Sequence, residues 1–177
     1  MRIADSILRD RFDHVYWITG GPCAGKTTVT SLLAEEHGFT VFPDRHSEYQ
    51  QAADFSEFPA LRNPWPGTDW EWFFGRSTEV YVRWLEESLA ADVEFIIVDL
   101  LAEPTNRKIL VDTTADPLAL AKISGRNRLV CMFGDEEMIR RELLHRDDHQ
   151  MILDCIRANT SDPSGMEENV VLSVVEY

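Results

Sequence analysis

Basic residues are scarce in this chain. Its 177 residues include 17 Lys and Arg against 31 Asp and Glu, which gives a formal net charge of −14 at pH 7. A protein that binds duplex nucleic acid needs a basic face that displaces the counterions of the phosphates. An extended nucleic-acid partner is therefore disfavoured, whereas a mononucleotide is compatible with one local group of arginines.

Cysteines and long apolar runs are also scarce. Three cysteines, an odd number at spacings that suit no zinc site, provide no disulfide framework. The longest apolar runs, such as Val170-Val171-Leu172, are far shorter than the roughly 20 residues that span a bilayer. Asp5 places an acid where a signal peptide would be apolar. We therefore expect a cytoplasmic protein with no membrane segment.

Linkers and internal repeats are missing too. No Ser/Gly-rich stretch or 20–50-residue repeat divides the chain, and 44% hydrophobic residues are enough to form one core. We expect a single domain over residues 1–177, as a monomer or homodimer. Within it, residues 43–78 are a candidate acceptor-binding insertion and residues 135–150 a candidate lid.

The pattern of apolar residues predicts alternating strands and helices. Near-continuous apolar runs are typical of parallel strands buried on both faces, and the alternation indicates an α/β sheet with helices on both faces and right-handed crossovers. Five such runs predict strands: His14–Thr19, Phe39–Phe42, Lys108–Asp112, Arg128–Phe133 and Asn169–Glu176.

Helices are predicted between these strands. Apolar residues recur at helical spacing from Lys26 to a stop at Gly38, again around Val80, after a cap at Asp135, and from Met151 to Ile156. The stretch 93–101 fits either a helix or a buried strand. Its apolar positions follow the helical stripe, and it lies too close to Ile109 for a crossover, so a helix is favoured. If it were a strand, Asp99 at its end would be the magnesium residue.

Residues 20–27 read Gly-Gly-Pro-Cys-Ala-Gly-Lys-Thr and match G-x-x-x-x-G-K-[ST] in full. Glycines let backbone N–H groups turn toward phosphates, the lysine reaches the β- and γ-phosphates, and the hydroxyl ligates Mg²⁺. An apolar strand precedes the motif and an amphipathic helix follows it, which argues against a chance match. The predicted nucleotide-binding residues are Gly20, Gly21, Pro22, Cys23, Ala24, Gly25, Lys26, Thr27 and Thr28, with Thr27 on Mg²⁺. Cys23 is expected to be a small filler rather than a redox switch.

Two carboxylates follow predicted strands. Ligands of open α/β sheets bind outside the carboxyl ends of the strands. Asp112, after Ile109-Leu110-Val111, is predicted to bind Mg²⁺; the alternative is a cap for the helix near Pro117. Asp44 is predicted to be the base for the acceptor hydroxyl, or else a turn residue after Pro43. Arg45 and His46 follow it and could contact an anionic acceptor.

Phosphoryl transfer also requires cations that close over the γ-phosphate. Arg141 and Arg146, in the segment after the fourth strand, are the predicted catalytic arginines together with Lys26. Arg126 and Arg128 form a second set. For any single arginine the alternative is a solvated helix face with i,i+4 pairs.

A tryptophan-rich stretch at residues 63–74 separates the second strand from the helix at Val80. It predicts a loop that leads into an aromatic helix. Trp65, between two prolines, is expected to belong to an acceptor pocket or lid. Trp72 and Phe73 are expected to be core residues under a long connection.

These residues resemble the small P-loop kinase group that includes shikimate, gluconate and nucleoside monophosphate kinases. The resemblance rests on residues 20–28, Asp44, Asp112, Arg141 and Arg146. It implies a P-loop NTPase three-layer sandwich with a five-stranded parallel sheet of order 2-3-1-4-5, and ATP- and Mg²⁺-dependent phosphorylation of a small acceptor. The Asp-Gly-Phe/Tyr-Pro-Arg signature of adenylate kinases is missing, and the loop is also similar to that of nicotinamide riboside kinases, so the acceptor stays open.

The sequence therefore predicts a kinase that transfers the γ-phosphoryl group of ATP to a hydroxyl or phosphate of a small metabolite or nucleotide. The alternative is a nucleotide-hydrolysing ATPase or switch without an acceptor. The chain has no Asn-Lys-x-Asp guanine motif, which favours ATP over GTP.

Overall fold

The central element of the protein is a parallel four-stranded sheet of order β2-β3-β1-β4, seen in a computed structural model that describes residues 3–62, 64, 66–145 and 147–177. The strands are β1 Val15–Gly20, β2 Thr40–Val41, β3 Ile109–Asp112 and β4 Leu129–Met132. The first four predicted strands are confirmed: β1 is shifted by one residue toward the C-terminus, and the other three are shorter than predicted. The α-helices are α1 Asp5–Arg11, α2 Lys26–His37, α3 His46–Ala52, α4 Trp70–Phe74, α5 Thr78–Ala102, α6 Pro117–Ser124, α7 Glu136–His145, α8 Asp147–Asn159 and α9 Pro163–Glu176.

The fifth strand predicted at Asn169–Glu176 is wrong, since these residues belong to helix α9. Asp162 caps this helix by accepting from the N–H of Gly165, and Pro163 occupies its first turn, where its missing N–H costs nothing. Val170, Val171 and Ser173 are buried, at spacings that a helix brings to one side. Local start signals and packing thus override the strand preference of valine. The sheet order 2-3-1-4-5 is corrected to 2-3-1-4 among the described residues.

The helix predicted at 93–101 is confirmed, and it forms one 25-residue helix with the helix predicted around Val80. Its C-terminal half buries Ile96 and Leu100 in the main core, against Trp17 and Val111 of the sheet. Helix α1 and its C-cap residue contribute Leu8 and Phe12 to the same core, and α6 contributes Leu120 and Ile123, while α2 packs on β1 and β3.

Helix α5 is much longer than the strand that follows it. A rise of 1.5 Å per residue makes it about 37 Å long, against about 13 Å for β3. Only the six residues 103–108 connect the two, so α5 starts beyond the carboxyl edge of the sheet. A second, aromatic core surrounds that half of α5 and is made of Phe73, Phe74, Tyr81, Ile156 and Val170. A helical layer therefore stands at the edge where the phosphate loop lies.

A candidate nucleotide phosphate site

The phosphate loop begins at Gly20, whose backbone is pressed against β4. A Cβ on Gly20 would lie 2.0 Å from the carbonyl oxygen of Met132, and its φ is +118°. The N–H of Gly21 donates to that same carbonyl at 3.1 Å. Only glycine fits here, because both the left-handed φ and the close backbone approach exclude a side chain. The first glycine of the motif therefore fixes where the loop leaves the sheet.

In the middle of the loop, residues with positive φ alternate with residues in ordinary backbone conformations. Cys23 has φ +57° and Gly25 has φ +79°, and Cys23 is the one non-glycine residue with a positive φ in the described ranges. Successive N–H groups in such turns point into one concavity that suits anions. The residue that was expected to be a filler thus adopts a conformation that is rare outside glycine.

Lys26 begins helix α2 and folds back over the loop. Its side chain is 8% exposed, and Nζ donates to the carbonyl oxygens of Gly20 at 3.1 Å and Gly21 at 2.7 Å. The ammonium group lies next to the N-terminal end of α2, which carries the positive end of the helix dipole. These positive groups share one concavity, which is the environment that a polyphosphate requires.

Thr27 and Asp112 meet at the neighbouring position. The Thr27 hydroxyl donates to Oδ2 of Asp112 at 2.7 Å. The parallel pairing of β1 with β3 puts Ile18 opposite Asp112, so the carboxylate stands at the edge from which the loop departs. Hydroxyl and carboxylate oxygens are the donors that Mg²⁺ prefers, and Mg²⁺ keeps several of its waters when few protein ligands hold it. The pair fits that ion. The alternative role of Asp112 as a helix cap is wrong, since Asp116 caps α6.

The segment after Asp112 is tied down by groups that the sequence reasoning missed. The Thr19 hydroxyl donates to the carbonyl of Ala115 at 2.5 Å, and the Ala115 N–H donates to the Thr113 hydroxyl. The Tyr177 hydroxyl donates to the carbonyl of Thr114 at 2.6 Å, and burial raises its pKa to about 12. These bonds join residues up to 96 positions apart, so no local pattern announces them.

Asp44 lies at the same edge of the sheet, two residues after a ladder bond from the Phe42 N–H to the carbonyl of Leu110. It is exposed, and its Oδ1 accepts from the backbone N–H of His46 at 3.0 Å. This bond is a local turn contact, so both readings of Asp44, turn residue and acceptor base, fit its position.

Two carboxylates of helix α5 hold the residues that follow Asp44. Asp92 contacts Nδ1 of His46 at 2.8 Å, and its hydrogen bond raises the pKa of that imidazole. Asp99 accepts from Arg45 at 3.3 Å and from the Tyr49 hydroxyl at 2.9 Å. Asp99 lies within a helix rather than at a strand end and is bound to these groups, so it is not the magnesium residue.

The predicted arginines differ in their exposure and in their contacts. Arg141 lies exposed on α7 with its Nε 3.0 Å from Glu142, and Arg146 lies outside the described residues. Arg128 donates to the carbonyl of Ser124 and so braces the turn before β4. Arg140, which was not singled out, bridges α7 to α9 by contacting Glu136 and Glu168.

The aromatic segment splits between core and surface. Phe73 is buried as expected, but Trp72 is 56% exposed, so its prediction as a core residue is wrong. Asp69 caps α4 by accepting from the backbone N–H of Trp72. An open cleft of about 490 Å³ is lined by Trp72, Phe55, Arg62 and residues 66–69. Trp65 lies outside the described residues.

Residues 15–99, a little under half of the chain, match the model of the family described as AAA domain. This segment is similar to P-loop NTPases. It contains the loop, α2, Asp44 and most of α5, so the match and the geometry identify the same nucleotide-binding element. No curated protein and no solved structure matches the chain. Within the described residues, no helix combines the length and apolar character needed to cross a bilayer.

Proposed function

We propose that the protein is an ATP-dependent phosphotransferase that moves the γ-phosphoryl group of ATP to a small-molecule acceptor. The part of the proposal that concerns ATP binding rests on the 2.7 Å contact between Thr27 and Asp112 beside the buried Lys26 ammonium. The part that concerns the acceptor is supported by Asp44, which lies at the same edge of the sheet. It is also supported by the helical layer that α4, α5, α8 and α9 form beyond this edge.

Each group of the loop has a defined task in this proposal. Loop N–H groups and Lys26 hold the β- and γ-phosphates and stabilise the charge that develops on them. Thr27 and Asp112 would hold Mg²⁺, which when bound neutralises phosphate charge. An Arg141 or Arg146 guanidinium that closes over the γ-phosphoryl oxygens would add to this stabilisation.

Asp44 supplies the acceptor side of the reaction. The acceptor oxygen forms a bond to the γ-phosphorus while the bond from that phosphorus to the bridging oxygen of ADP breaks. The proton of the acceptor hydroxyl passes to the Asp44 carboxylate, which was ionised beforehand. A positioned base of this kind contributes about 10²–10⁴-fold.

A second candidate function is ATP hydrolysis without an acceptor. The match of residues 15–99 to the model described as AAA domain favours it, because this segment is similar to P-loop NTPases in general and nothing in the match points to an acceptor. In that case water attacks the γ-phosphorus, and Asp44 is a turn residue.

The test is calorimetric titration with ATP and Mg²⁺, followed by ADP release in the presence of pooled metabolites. The matched control is Lys26→Met, which keeps the volume of this buried side chain but removes its charge. Saturable ATP binding together with a pool that stimulates ADP release supports the kinase. Binding with slow, acceptor-independent ADP release supports the ATPase.

The variant Asp44→Asn separates the two candidates further. We expect it to lower acceptor-dependent ADP release by about 10²–10⁴-fold while leaving the ATP dissociation constant unchanged. A loss below about tenfold would assign Asp44 to the turn alone.

A further inference from the structure

The turn that follows Asp44 contains two cations, and α5 carboxylates pair with both. His46 Nδ1 lies 3.0 and 2.8 Å from the two carboxylate oxygens of Asp92. The Arg45 guanidinium lies 3.3 Å from Asp99. Arg45 and His46 are the residues that the sequence suggests as contacts for an anionic acceptor. Both are therefore already paired with carboxylates of the protein.

These pairs are held by the fold rather than by chance surface contact. Asp92 and Asp99 are seven residues apart, two helical turns, so they lie on the same side of α5. Ile96 and Leu100 anchor this part of α5 in the main core, and the Tyr49 ring stacks on Phe95 at 5.1 Å. Asp92 is only 9% exposed, so withdrawing His46 would leave a carboxylate that is nearly buried without its partner, which is strongly unfavourable.

The remaining charge at this turn is negative. Acidic groups are Asp44, Glu48, Asp92 and Asp99, and the basic groups that face them are Arg45 and His46. Asp44 and Glu48 are the exposed members; Glu48 lies 4.0 Å from Arg45, whereas no ion pair to Asp44 occurs among the described residues. A carboxylate only accepts hydrogen bonds, so it selects hydroxyl or ammonium donors and repels phosphate or carboxylate groups.

We propose that the phosphoryl acceptor is a neutral polyhydroxyl compound, such as a sugar, a polyol or the ribose of a nucleoside, and that its phosphorylated or carboxylated counterparts are excluded. This inference rests on the proposed function and narrows it. Asp44 receives a hydroxyl proton, the hydroxyl oxygen becomes the ester oxygen of a phosphate monoester, and ADP leaves. The negative turn acts as the filter, since an anion brought to Asp44 meets like charge, while the adjacent cations Arg45 and His46 are already paired with Asp99 and Asp92.

The experiment compares acceptors in matched pairs at equal concentration, with ADP release and ³¹P NMR of the product as readouts. Each pair joins a neutral compound to its anionic form: nucleoside and nucleoside monophosphate, hexose and hexose phosphate, polyol and the corresponding sugar acid. We expect kcat/KM for the neutral member of the accepted pair to be higher by at least about 10²-fold.

Two variants test whether the charge at the turn is the cause. Asp99→Asn keeps a hydrogen-bond acceptor for Arg45 and Tyr49 but removes one negative charge, and Arg45 stays charged, so kcat/KM for the anionic member should rise about tenfold relative to the neutral one. Glu94→Gln removes the same charge from an exposed position of the same helix and should leave the ratio unchanged. If Asp99→Asn does not fold, Glu48→Gln replaces it, since Glu48 lies 4.0 Å from Arg45.

The outcomes separate the two levels of the proposal. An acceptor that must carry a phosphate or carboxylate overturns the neutral-acceptor inference and leaves the kinase standing. An equal change of the ratio in Asp99→Asn and Glu94→Gln also overturns the inference. Tight ATP binding with no phosphorylated product from any pair overturns the kinase itself, and the inference with it.

Discussion

The hydroxyl of Thr27 donates to Oδ2 of Asp112 across 2.7 Å, although 85 residues separate them in the chain. The first belongs to the first turn of α2 and the second to the end of β3. Their meeting depends on the parallel pairing of β1 and β3, which places both at the carboxyl edge of the sheet. The parallel pairing of the strands thus brings together the two residues that are proposed to hold Mg²⁺.

Asp112→Asn should weaken ATP binding only when Mg²⁺ is present. The amide removes the charge that favours the cation, while the apolar strand before it is unchanged. We expect the ATP dissociation constant to rise at least about tenfold in Mg²⁺ and to stay constant in EDTA, as measured by calorimetry. Asp116→Asn is the matched control, because asparagine caps α6 equally well. Equal effects of the two variants in Mg²⁺ would contradict a magnesium role for Asp112.

Gly20→Ala should prevent folding. The new methyl group would lie 2.0 Å from the Met132 carbonyl oxygen, in a backbone conformation with φ +118°. The expected result is insoluble protein or a lost cooperative thermal transition. Gly21→Ala is the control, since a Cβ there meets nothing within 4 Å, and it should fold with a nearly normal melting temperature. A normally folded Gly20→Ala would show that β4 can move away from the loop.

The His46–Asp92 pair should make stability depend on pH. The pair raises the folded-state pKa of His46 above its ordinary value of 6.5, chiefly through the Asp92 hydrogen bond. Its contribution is therefore fully present below about pH 6.5 and is lost as the pH rises through the raised pKa. We expect wild type to exceed His46→Gln in free energy of unfolding by more at about pH 6 than at about pH 9, by urea denaturation. A difference that grows with pH would have the wrong sign.

Arg76 should tolerate an apolar replacement. Its guanidinium lies 4.0 to 5.4 Å from the ring centroids of Phe73, Trp84, Tyr81 and Trp72, and burial lowers its pKa. Nη2 has no hydrogen-bond partner in the described part of the chain, so the charge is poorly solvated. Arg76→Met, which keeps the volume, should change the free energy of unfolding by less than about 1 kcal/mol. Arg76→Ala should lower it by about 2–4 kcal/mol because it leaves a cavity. Equal losses in both variants would show that cation–π attraction dominates.

Helix α9 shows why the strand predicted at Asn169–Glu176 is wrong. Val170, Val171, Val174 and Val175 favour a strand by intrinsic preference, yet Asp162 and Pro163 start a helix just before them. The helix is chosen because its buried side completes the aromatic core with Phe73, Phe74 and Tyr81. Those partners lie about 90 residues earlier in the chain, so a local pattern contains no sign of them.

The prediction of Trp72 as a core residue is wrong for a related reason. An aromatic residue between Trp70 and Phe74 reads as core, because large apolar side chains are usually buried. The packing of α5, α8 and α9 against α4 determines which side of α4 faces the second core. Phe73 and Phe74 take the buried positions, and Trp72 is left beside an open cleft.

The phosphate loop, the first four strands and the helical character of residues 93–101 can be predicted from the sequence alone. These features depend on short-range chemistry: glycines at left-handed positions, apolar periodicity and caps next to the segments they start. Three other features depend on tertiary packing: the contact of Thr27 with Asp112, the pairing of Asp92 and Asp99 with His46 and Arg45, and the place of β4 at the edge of the sheet among the described residues. Such contacts join residues 46 to 85 positions apart, and they form only where packing brings separate elements together.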